Sequence, residues 1–243
     1  MATEAGDMKL LGNYRKLIDF ITAESTYAPP NPKLTTAAME GQYTAALAAV
    51  QDCGNKIAPN KLAISERQSA YDKLPAIIPR TRNVLKASGA SKAAVANVDT
   101  PYRKVLGRRK IAKVKDDPNT TATEATVQHS AAQTSFDNQL ANFGAYVAIL
   151  REIPEYQPND NSLKLAALTA LATDLQAKNN AVSATFVPLS QSRGVRDQLL
   201  YLNPDCVVNT ALLAKAFVAG ELGTNSNVYK QIKGLKFGRK SGT

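Results

Sequence analysis

The sequence is poor in the residues from which most active sites are built. Tryptophan is absent from the 243 residues, histidine occurs once, as His129, and cysteine twice. A single histidine excludes a histidine relay or a two-histidine metal site within one chain. We expect His129 to lie on a helix surface, and Cys53 and Cys206 to be small buried hydrophobic residues rather than a disulfide framework.

Glycine-rich phosphate-binding loops are also missing, since neither GxGxxG nor GxxxxGK[ST] occurs. The segment KASGAS at 86–91 resembles an anion-binding turn, but a helix stop at Gly89 followed by the N-cap Ser91 explains it better. Carboxylates are sparse, and no pair of them recurs along the chain. We therefore predict no enzymatic activity, no metal and no cofactor.

Long hydrophobic runs are lacking as well, and the longest near-candidate is AALAAV at 45–50. This is far shorter than a membrane-spanning helix. The opening MATEAGDMKLLG has neither the charged region nor the apolar region of a secretory signal. The prediction is a cytoplasmic protein without a membrane span.

The residues that are present favour an all-α fold. Alanine is plentiful and aromatic residues make up only 6% of the chain, which suits closely packed helices better than a sheet core. Charged residues make up 21% and hydrophobic residues 44%, as in soluble globular proteins.

An internal repeat organises most of the chain. A shift of 129 residues aligns positions 11–75 with 140–204 without a gap. The matched pairs include Leu11 with Leu140, Asn13 with Asn142, Tyr14 with Phe143, Tyr27 with Tyr156, Pro29 with Pro158, Leu34 with Leu163, Thr44 with Thr173, Pro59 with Pro188, Arg67 with Arg196, and Pro75 with Pro204. We interpret this as a tandem duplication, giving a first and a second copy of one helical unit.

Each copy is predicted to form a helix, a turn, a long helix, a second turn and a third helix. In the first copy these helices are expected at about 8–24, 35–73 and 78–88, the last ending at Gly89. The third helix of the second copy is expected at about 210–219, ending at Gly220. Proline inside a helix removes a hydrogen bond, so we expect a kink or break at Pro59 and at Pro188.

The predicted domain organisation follows the two copies. Residues 1–107 form the first helical repeat, 108–132 a basic and polar connector, and 133–243 the second repeat with a basic tail. Because no helix breaker follows Pro118, the opening helix of the second copy is expected to begin upstream, within the connector. The expected architecture is a pair of antiparallel helical bundles with short connections.

Several segments carry a family resemblance. YQPNDNSLKLAALTAL, SFDNQLANF, IPRTRNVLKASGAS and SNVYKQIKGLKF resemble a family of uncharacterised bacterial two-repeat α-helical proteins. In that family a similar layout ends in a comparable Tyr-x-x-Ile-x-Gly-Leu-Lys-Phe segment. The resemblance implies an all-α fold and no assigned activity.

The net charge of +10 is concentrated in two segments, 101–115 and 229–243, and neither contains an acidic residue. PYRKVLGRRK in the first matches VYKQIKGLKF in the second, so both close a copy of the repeat. The basic residues are Arg103, Lys104, Arg108, Arg109, Lys110, Lys113 and Lys115 in the first segment, and Lys230, Lys233, Lys236, Arg239 and Lys240 in the second.

Two interpretations of these basic segments stay open. In the first, the charges decorate helix ends, while Tyr102, Val105, Leu106, Ile111 and Val114 hold the first segment to the core. In the second, both segments bind a polyanion or the acidic surface of a partner. Few aromatic residues lie among the charges and no helix-turn-helix spacing is evident, so such binding would not depend on base sequence.

Two further matched pairs invite structural roles. We expect Arg67 and Arg196 to be solvated residues of the long helices, the alternative being guanidinium groups bonded to a carboxylate or to turn carbonyls. We expect Tyr27 and Tyr156 to pack their rings over a bundle end.

The sequence therefore predicts a non-enzymatic structural or protein-interaction protein that contacts a protein partner or copies of itself. The alternative is sequence-independent nucleic-acid binding through 101–115 and 229–243.

Overall fold

The structure, a computed structural model, describes residues 4–107 and 135–238, and every regular element in these ranges is helical. The α-helices are α1 (Glu4–Thr22), α2 (Thr36–Tyr71), α3 (Leu74–Ala87), α4 (Lys92–Val105), α5 (Phe136–Arg151), α6 (Leu165–Asp197), α7 (Val207–Glu221) and α8 (Asn227–Ile232). Short 3₁₀ turns, Pro32–Leu34 and Asn161–Leu163, precede α2 and α6. A π-helical segment, Gln198–Leu202, follows α6. The prediction of an all-α fold is confirmed.

The loops that lead into α2 and α6 are closed by the same two interactions. Asn31 accepts a hydrogen bond from the backbone N–H of Lys33, at 3.0 Å, and caps the first 3₁₀ turn. Asp160 does the same for the second turn through the N–H of Ser162, at 2.8 Å.

A tyrosine closes each of these loops from the other side. The hydroxyl of Tyr27 donates to the carbonyl of Leu34 at 2.8 Å, and that of Tyr156 donates to the carbonyl of Leu163 at 2.7 Å. The ring of Tyr27 also packs edge-on against Phe217, with 5.4 Å between centroids. These tyrosines therefore have the packing role expected of them, and each also fixes its loop.

Glycine ends the third helix differently in the two copies. Gly89 follows α3 with φ +83°, which confirms the predicted left-handed cap. In the second copy α7 continues through Gly220 to Glu221, and Gly223 adopts φ +83° instead. The prediction of an end at Gly220 is wrong because the helix extends far enough to bring Leu222 onto the core.

The long helices are not broken at their prolines. α2 runs through Pro59 and α6 runs through Pro188, so of the predicted kink or break the break is wrong in both helices, and the kink stays a prediction. Each proline still forfeits one backbone hydrogen bond. The residues that follow them, Asn60 and Leu189, are buried, and this packing holds the helix across the proline.

Helix α5 begins at Phe136, where the side chain of Ser135 accepts a hydrogen bond from the N–H of Asn138. The cap places the start of the helix downstream of the connector, so the predicted upstream start is wrong. The whole of the connector, 108–132, including His129, lies outside the described residues.

The chain folds into two compact units, each with its own core. Unit 1 comprises Met1–Lys61 with Thr185–Thr243, and unit 2 comprises Leu62–Ala184. Both long helices contribute to both units, so each unit combines parts of the two sequence copies. The predicted segments 1–107, 108–132 and 133–243 follow the sequence repeat rather than packing, and they stay a prediction.

The core of unit 1 is formed by α1, the first part of α2, α7 and α8, with Tyr14, Ile18 and Ile21 fully buried. The core of unit 2 is formed by the end of α2, α3, α4, α5 and the start of α6. Here Phe143 and Leu150 occupy the positions that Tyr14 and Ile21 occupy in unit 1. Among the described helices, none is both long enough and apolar enough to span a membrane.

Candidate functional site

Five of the twelve basic residues singled out in the sequence lie in the described ranges. Arg103 and Lys104 belong to unit 2, and Lys230, Lys233 and Lys236 belong to unit 1. The others lie outside the described residues: Arg108, Arg109, Lys110, Lys113, Lys115, Arg239 and Lys240.

In unit 2 the end of α4 is held by packing and by one strong ion pair. Val105 is buried, and Tyr102 and Leu106 pack against the core. Arg82 donates two hydrogen bonds to Asp99, at 2.6 and 3.0 Å, and lies 4.9 Å from the ring centroid of Tyr102. These bonds from Arg82 lower the pKa of the Asp99 carboxyl below its ordinary value.

Arg103 and Lys104 are half-buried in the last turn of α4, where cations are favoured by the helix dipole. The packing predicted for Tyr102, Val105 and Leu106 is therefore observed. Ile111 and Val114, to which the same role was assigned, lie outside the described residues.

In unit 1 the chain after α8 is held through its backbone. The ammonium of Lys215 donates to the carbonyls of Lys233 and Leu235, at 3.0 Å each, and burial lowers the pKa of this lysine. Asn13 donates to the carbonyl of Lys236 at 3.0 Å. The side chains of Lys230, Lys233 and Lys236 remain exposed. The fold thus fixes this segment without engaging its positive charges.

In unit 1, Arg196 contacts charged groups, although the sequence predicted a solvated residue. Its side chain is only 9% exposed, and it contacts two carboxylates. The guanidinium lies 3.4 Å from the fully buried Asp7 and donates to Asp197 at 2.8 Å. The prediction of a solvated arginine is wrong here, and the alternative of a carboxylate-bound arginine is observed.

A tyrosine and a cysteine complete this buried cluster. The hydroxyl of Tyr201 donates to Asp7 at 2.6 Å, and Arg196 Nη1 lies 3.7 Å from the sulfur of Cys53. Burial, followed by the interactions with Asp7, raises the pKa of Tyr201. Burial alone would lower the pKa of Arg196, but the bond to Asp197 and the charge of Asp7 raise it above its ordinary value. The cluster is therefore held together through Asp7: its Oδ1 accepts the Tyr201 hydrogen bond, while within the described ranges its buried Oδ2 has the ion contact with Arg196 but no hydrogen bond.

The π-helical segment explains how Tyr201 reaches this cluster. In an α-helix the residues that stack on one face are three or four positions apart, whereas a π turn stacks residues five apart. Arg196 and Tyr201 are five apart, and the π segment Gln198–Leu202 lies between α6 and the next turn. Both side chains consequently meet Asp7 on the same face.

In unit 2 the matching arginine, Arg67, faces a ring instead of a carboxylate. Its guanidinium lies 4.1 Å from the ring centroid of Phe136, the residue 129 positions after Asp7. Arg67 is half-buried, and within the described ranges its Nε is buried without a hydrogen-bond partner. Tyr71, four positions along α2, donates to the carbonyl of Phe136 at 3.0 Å. This too is a structural role rather than a solvated one.

Both cysteines are free thiols buried in unit 1, as expected for small hydrophobic residues. Within 4–107 and 135–238, no group of three or more His, Cys, Asp or Glu side chains is placed to hold a metal ion. Sequence reasoning missed Asp7 altogether. Tyr201 and Asp7 are 194 positions apart, and no local spacing signals such a contact.

An open pocket of about 620 Å³ lies in unit 2 between α3 and the loop that precedes α6. Arg80, Val84 and Ser88 line it on the helix, and Gln157 and Asp160 line it on the loop. Arg80 donates to Asp160 at 2.6 Å. This pocket was not foreseen from the sequence either, because it depends on which side chains meet across the loop.

Comparison with known proteins adds no assignment: no family model, no curated protein and no solved structure matches the chain. The family resemblance stated from the sequence therefore stays a prediction.

Proposed function

We propose that the chain is a non-enzymatic protein-interaction protein built by tandem duplication of one helical unit. Interactions that recur at positions 129 residues apart support the duplication. They include the caps from Asn31 and Asp160 and the loop-closing hydroxyls of Tyr27 and Tyr156. The family resemblance and the cytoplasmic location belong to the same proposal.

The observation that carries the interaction function is a set of exposed apolar side chains on the second part of α6 and on the π segment. Phe186, Val187, Val195 and Leu202 are each between 51% and 60% exposed. Val195 and Leu202 are seven positions apart and therefore share one face of this stretch, whereas Phe186, nine positions before Val195, lies on the opposite face. Large apolar residues that share one element and remain in water are typical of surfaces that bind another protein.

The charged cluster of unit 1 also supports a non-enzymatic function. Arg196 and the hydroxyl of Tyr201 both contact Asp7, which is fully buried. These contacts join α1 to α6 and to the π segment, so the raised pKa values of Arg196 and Tyr201 have a structural cause.

The test is capture of a protein partner from native cells, together with sedimentation of the purified chain over a range of concentrations. The double variant Val195→Lys, Leu202→Lys places charges on the face that these two exposed side chains share. Its matched control is Gln191→Lys, Gln198→Lys, which changes two exposed polar residues of the same stretch. We expect the first pair to abolish partner binding or self-association and the control to retain it. Equal behaviour of the two pairs would contradict the proposal.

A second function, sequence-independent binding of nucleic acid, is favoured by one observation. Lys230, Lys233 and Lys236 are exposed while the backbone beside them is fixed by Lys215 and Asn13. Such a segment can contact phosphates without first being ordered. In a titration of random duplex DNA against salt, the logarithmic slope should then be about −0.9 per phosphate neutralised. Replacing the three lysines by Gln should make the slope shallower, and an absence of binding at low salt would eliminate this function.

A further inference from the structure

Helix α7 of unit 1 exposes an uncharged apolar face. Leu212 and Leu213 are 40% and 53% exposed, and Ala216 and Gly220, further along the helix, are exposed as well. At about 100° per residue, these four positions lie within about 100° of the helix circumference, with Ala216 close to the middle. They form one surface, which we call the α7 face.

Both the sequence and the fold keep charge away from the α7 face. Lys215 is the only charged residue between positions 207 and 220, and its ammonium is bonded to the carbonyls of Lys233 and Leu235, at 3.0 Å each. On its opposite side α7 packs into the core of unit 1 through Ala214 and Val218. A helix that is apolar all round is ordinarily buried all round. The α7 face is therefore suited to contact with another molecule rather than with water.

The matching helix of unit 2, α3, carries more polar residues at the same positions. Leu212 corresponds to Asn83, 129 positions earlier, and Asn209 corresponds to Arg80. Asn83 and Arg80 are both exposed, as a polar residue facing water is expected to be. The apolar character of the α7 face is thus a property of unit 1 and does not follow from the repeat itself.

The order of large and small residues makes the α7 face complementary to a second copy of itself. In an antiparallel pair of α7 helices with a two-fold axis at Ala216, Leu212 of one copy faces Ala219 of the second. Leu213 likewise faces Gly220 of the second copy. Each leucine meets a residue with little or no side chain, so the two helices can pack closely. Because every copy carries a net charge of +10, two copies repel through their charged surfaces, and the uncharged α7 face is where they can meet.

We propose that the chain forms a two-fold dimer in which the α7 faces of two copies pack against each other in antiparallel orientation. This dimer uses other residues than Val195 and Leu202, and it adds a defined partner, a second copy of the chain, to the proposed interaction function. Helix α7 has 15 residues and is about 22 Å long. Contact along one such helix is small for a protein interface, so the dimer is weak and forms as the protein concentration rises.

Sedimentation velocity of the full chain at rising concentration measures the dimer. Leu212→Lys and Ala216→Glu each place two like charges in the contact, one from each copy, and should raise the dissociation constant at least about tenfold. The matched controls are Asn83→Lys and Ala87→Glu, which make the same charge changes at exposed positions of α3 and should retain the dimer. Ala216 is exposed, so Ala216→Glu keeps the test valid if Leu212→Lys does not fold. A chain that stays monomeric at every concentration, or folded variants that dimerise as the original chain does, would overturn the proposal.

A cross-link tests the position of the two-fold axis. Cys53 and Cys206 are buried free thiols, so the original chain should not be cross-linked by mild oxidation. In Ala216→Cys the axis brings the two new thiols together, and diamide should join them in a disulfide, itself taking up the two electrons and two protons. Ala87→Cys, at the matching exposed position of α3, should stay uncrosslinked. A dimer that forms in Ala216→Cys without this disulfide would contradict the proposed arrangement.

The two proposals fail separately. Loss of partner capture in Val195→Lys, Leu202→Lys with the dimer retained would support both. Loss of the dimer in that variant but not in Leu212→Lys would overturn the α7 dimer and leave the interaction function standing. Retained partner capture in Val195→Lys, Leu202→Lys, with loss of the dimer in Leu212→Lys, would support the dimer and contradict the proposed interaction surface.

Discussion

Unit 1 and unit 2 place an arginine at the same position of the repeat and give it different partners. Arg196 in unit 1 meets a buried carboxylate, Asp7, whereas Arg67 in unit 2 meets the ring of Phe136. A tyrosine accompanies each arginine, Tyr201 in unit 1 and Tyr71 in unit 2. Two positions that the sequence alignment matches, 67 and 196, therefore carry different electrostatic arrangements in the two units.

The two arginine environments differ in the free energy needed to bury the group that faces the guanidinium. A buried carboxylate needs compensation for its lost hydration, and unit 1 supplies it with a guanidinium and a phenolic hydroxyl. The π segment is the backbone adjustment that brings the tyrosine into place, five residues from the arginine. A ring needs no such compensation, so unit 2 keeps the ordinary α-helical spacing of four between Arg67 and Tyr71. Unit 1 therefore depends more strongly on its arginine.

The largest expected difference is between the two arginine variants. Arg196→Met leaves Asp7 buried without its cation and should lower the free energy of unfolding by about 3 kcal/mol or more. Arg67→Met removes a contact with a ring and should lower it by about 1 kcal/mol. Urea denaturation followed by circular dichroism measures both. Equal losses would mean that the two arginines are equivalent after all.

Replacing the tyrosines beside these arginines should also lower the free energy of unfolding more in unit 1 than in unit 2, but by smaller amounts. Tyr201→Phe removes a hydrogen bond to a buried carboxylate and should cost about 2 kcal/mol. Tyr71→Phe removes one to a backbone carbonyl and should cost about 1 kcal/mol. The same denaturation experiment compares them, and a larger loss in Tyr71→Phe would contradict the account of unit 1.

Tyr27 and Tyr156 allow a comparison at high pH, where the two units should lose stability in the same way. Burial raises the pKa of each hydroxyl to about 12, against about 10 in an unfolded chain. The folded state holds these protons more tightly, so its stability is full below pH 10 and falls as the pH rises to 12. Thermal unfolding should show a shallower fall in Tyr27→Phe and in Tyr156→Phe, to the same extent in each. A change in only one of them would show that the two loops are not equivalent.

The smallest effect is expected at the caps of the 3₁₀ turns, where unit 1 has Asn31 and unit 2 has Asp160. Asp160→Asn should leave the unfolding midpoint unchanged at pH 7, since asparagine caps the equivalent turn. Hydrogen bonds from Ser162, and then from Arg80, lower the pKa of Asp160 to about 2. Its contribution is thus present above about pH 4 and lost as the pH falls towards 2, and the variant should lack this acid dependence. A drop in midpoint at pH 7 would show that the ion pair with Arg80 matters more than the cap.

Local features of the fold could be predicted from the sequence, and features that depend on distant contacts could not. The first helix was expected at about 8–24 from the 3–4-residue spacing of its apolar residues and is observed as Glu4–Thr22, and the left-handed cap predicted at Gly89 is confirmed. Both depend on a few neighbouring residues.

The predictions that are wrong concern features that depend on contacts between residues far apart in the sequence. Arg196 was placed in solvent because its partner, Asp7, lies near the other end of the chain. A kink or break was expected at Pro59 and Pro188, and the sequence could not show that α2 and α6 continue through these prolines, because the packing beside them is tertiary. The pocket beside Ser88 was missed for the same reason, since only the folded chain brings α3 next to the loop that precedes α6.

The central claim is that one position of the repeat carries a buried ion pair in unit 1 and a ring contact in unit 2. A pair of double-mutant cycles tests it directly: Asp7→Ala with Arg196→Met, and Phe136→Leu with Arg67→Met. We predict a coupling energy of about 2 kcal/mol or more for Asp7 with Arg196, and about 1 kcal/mol or less for Phe136 with Arg67. Coupling energies that are equal, or a value near zero for Asp7 with Arg196, would contradict the account.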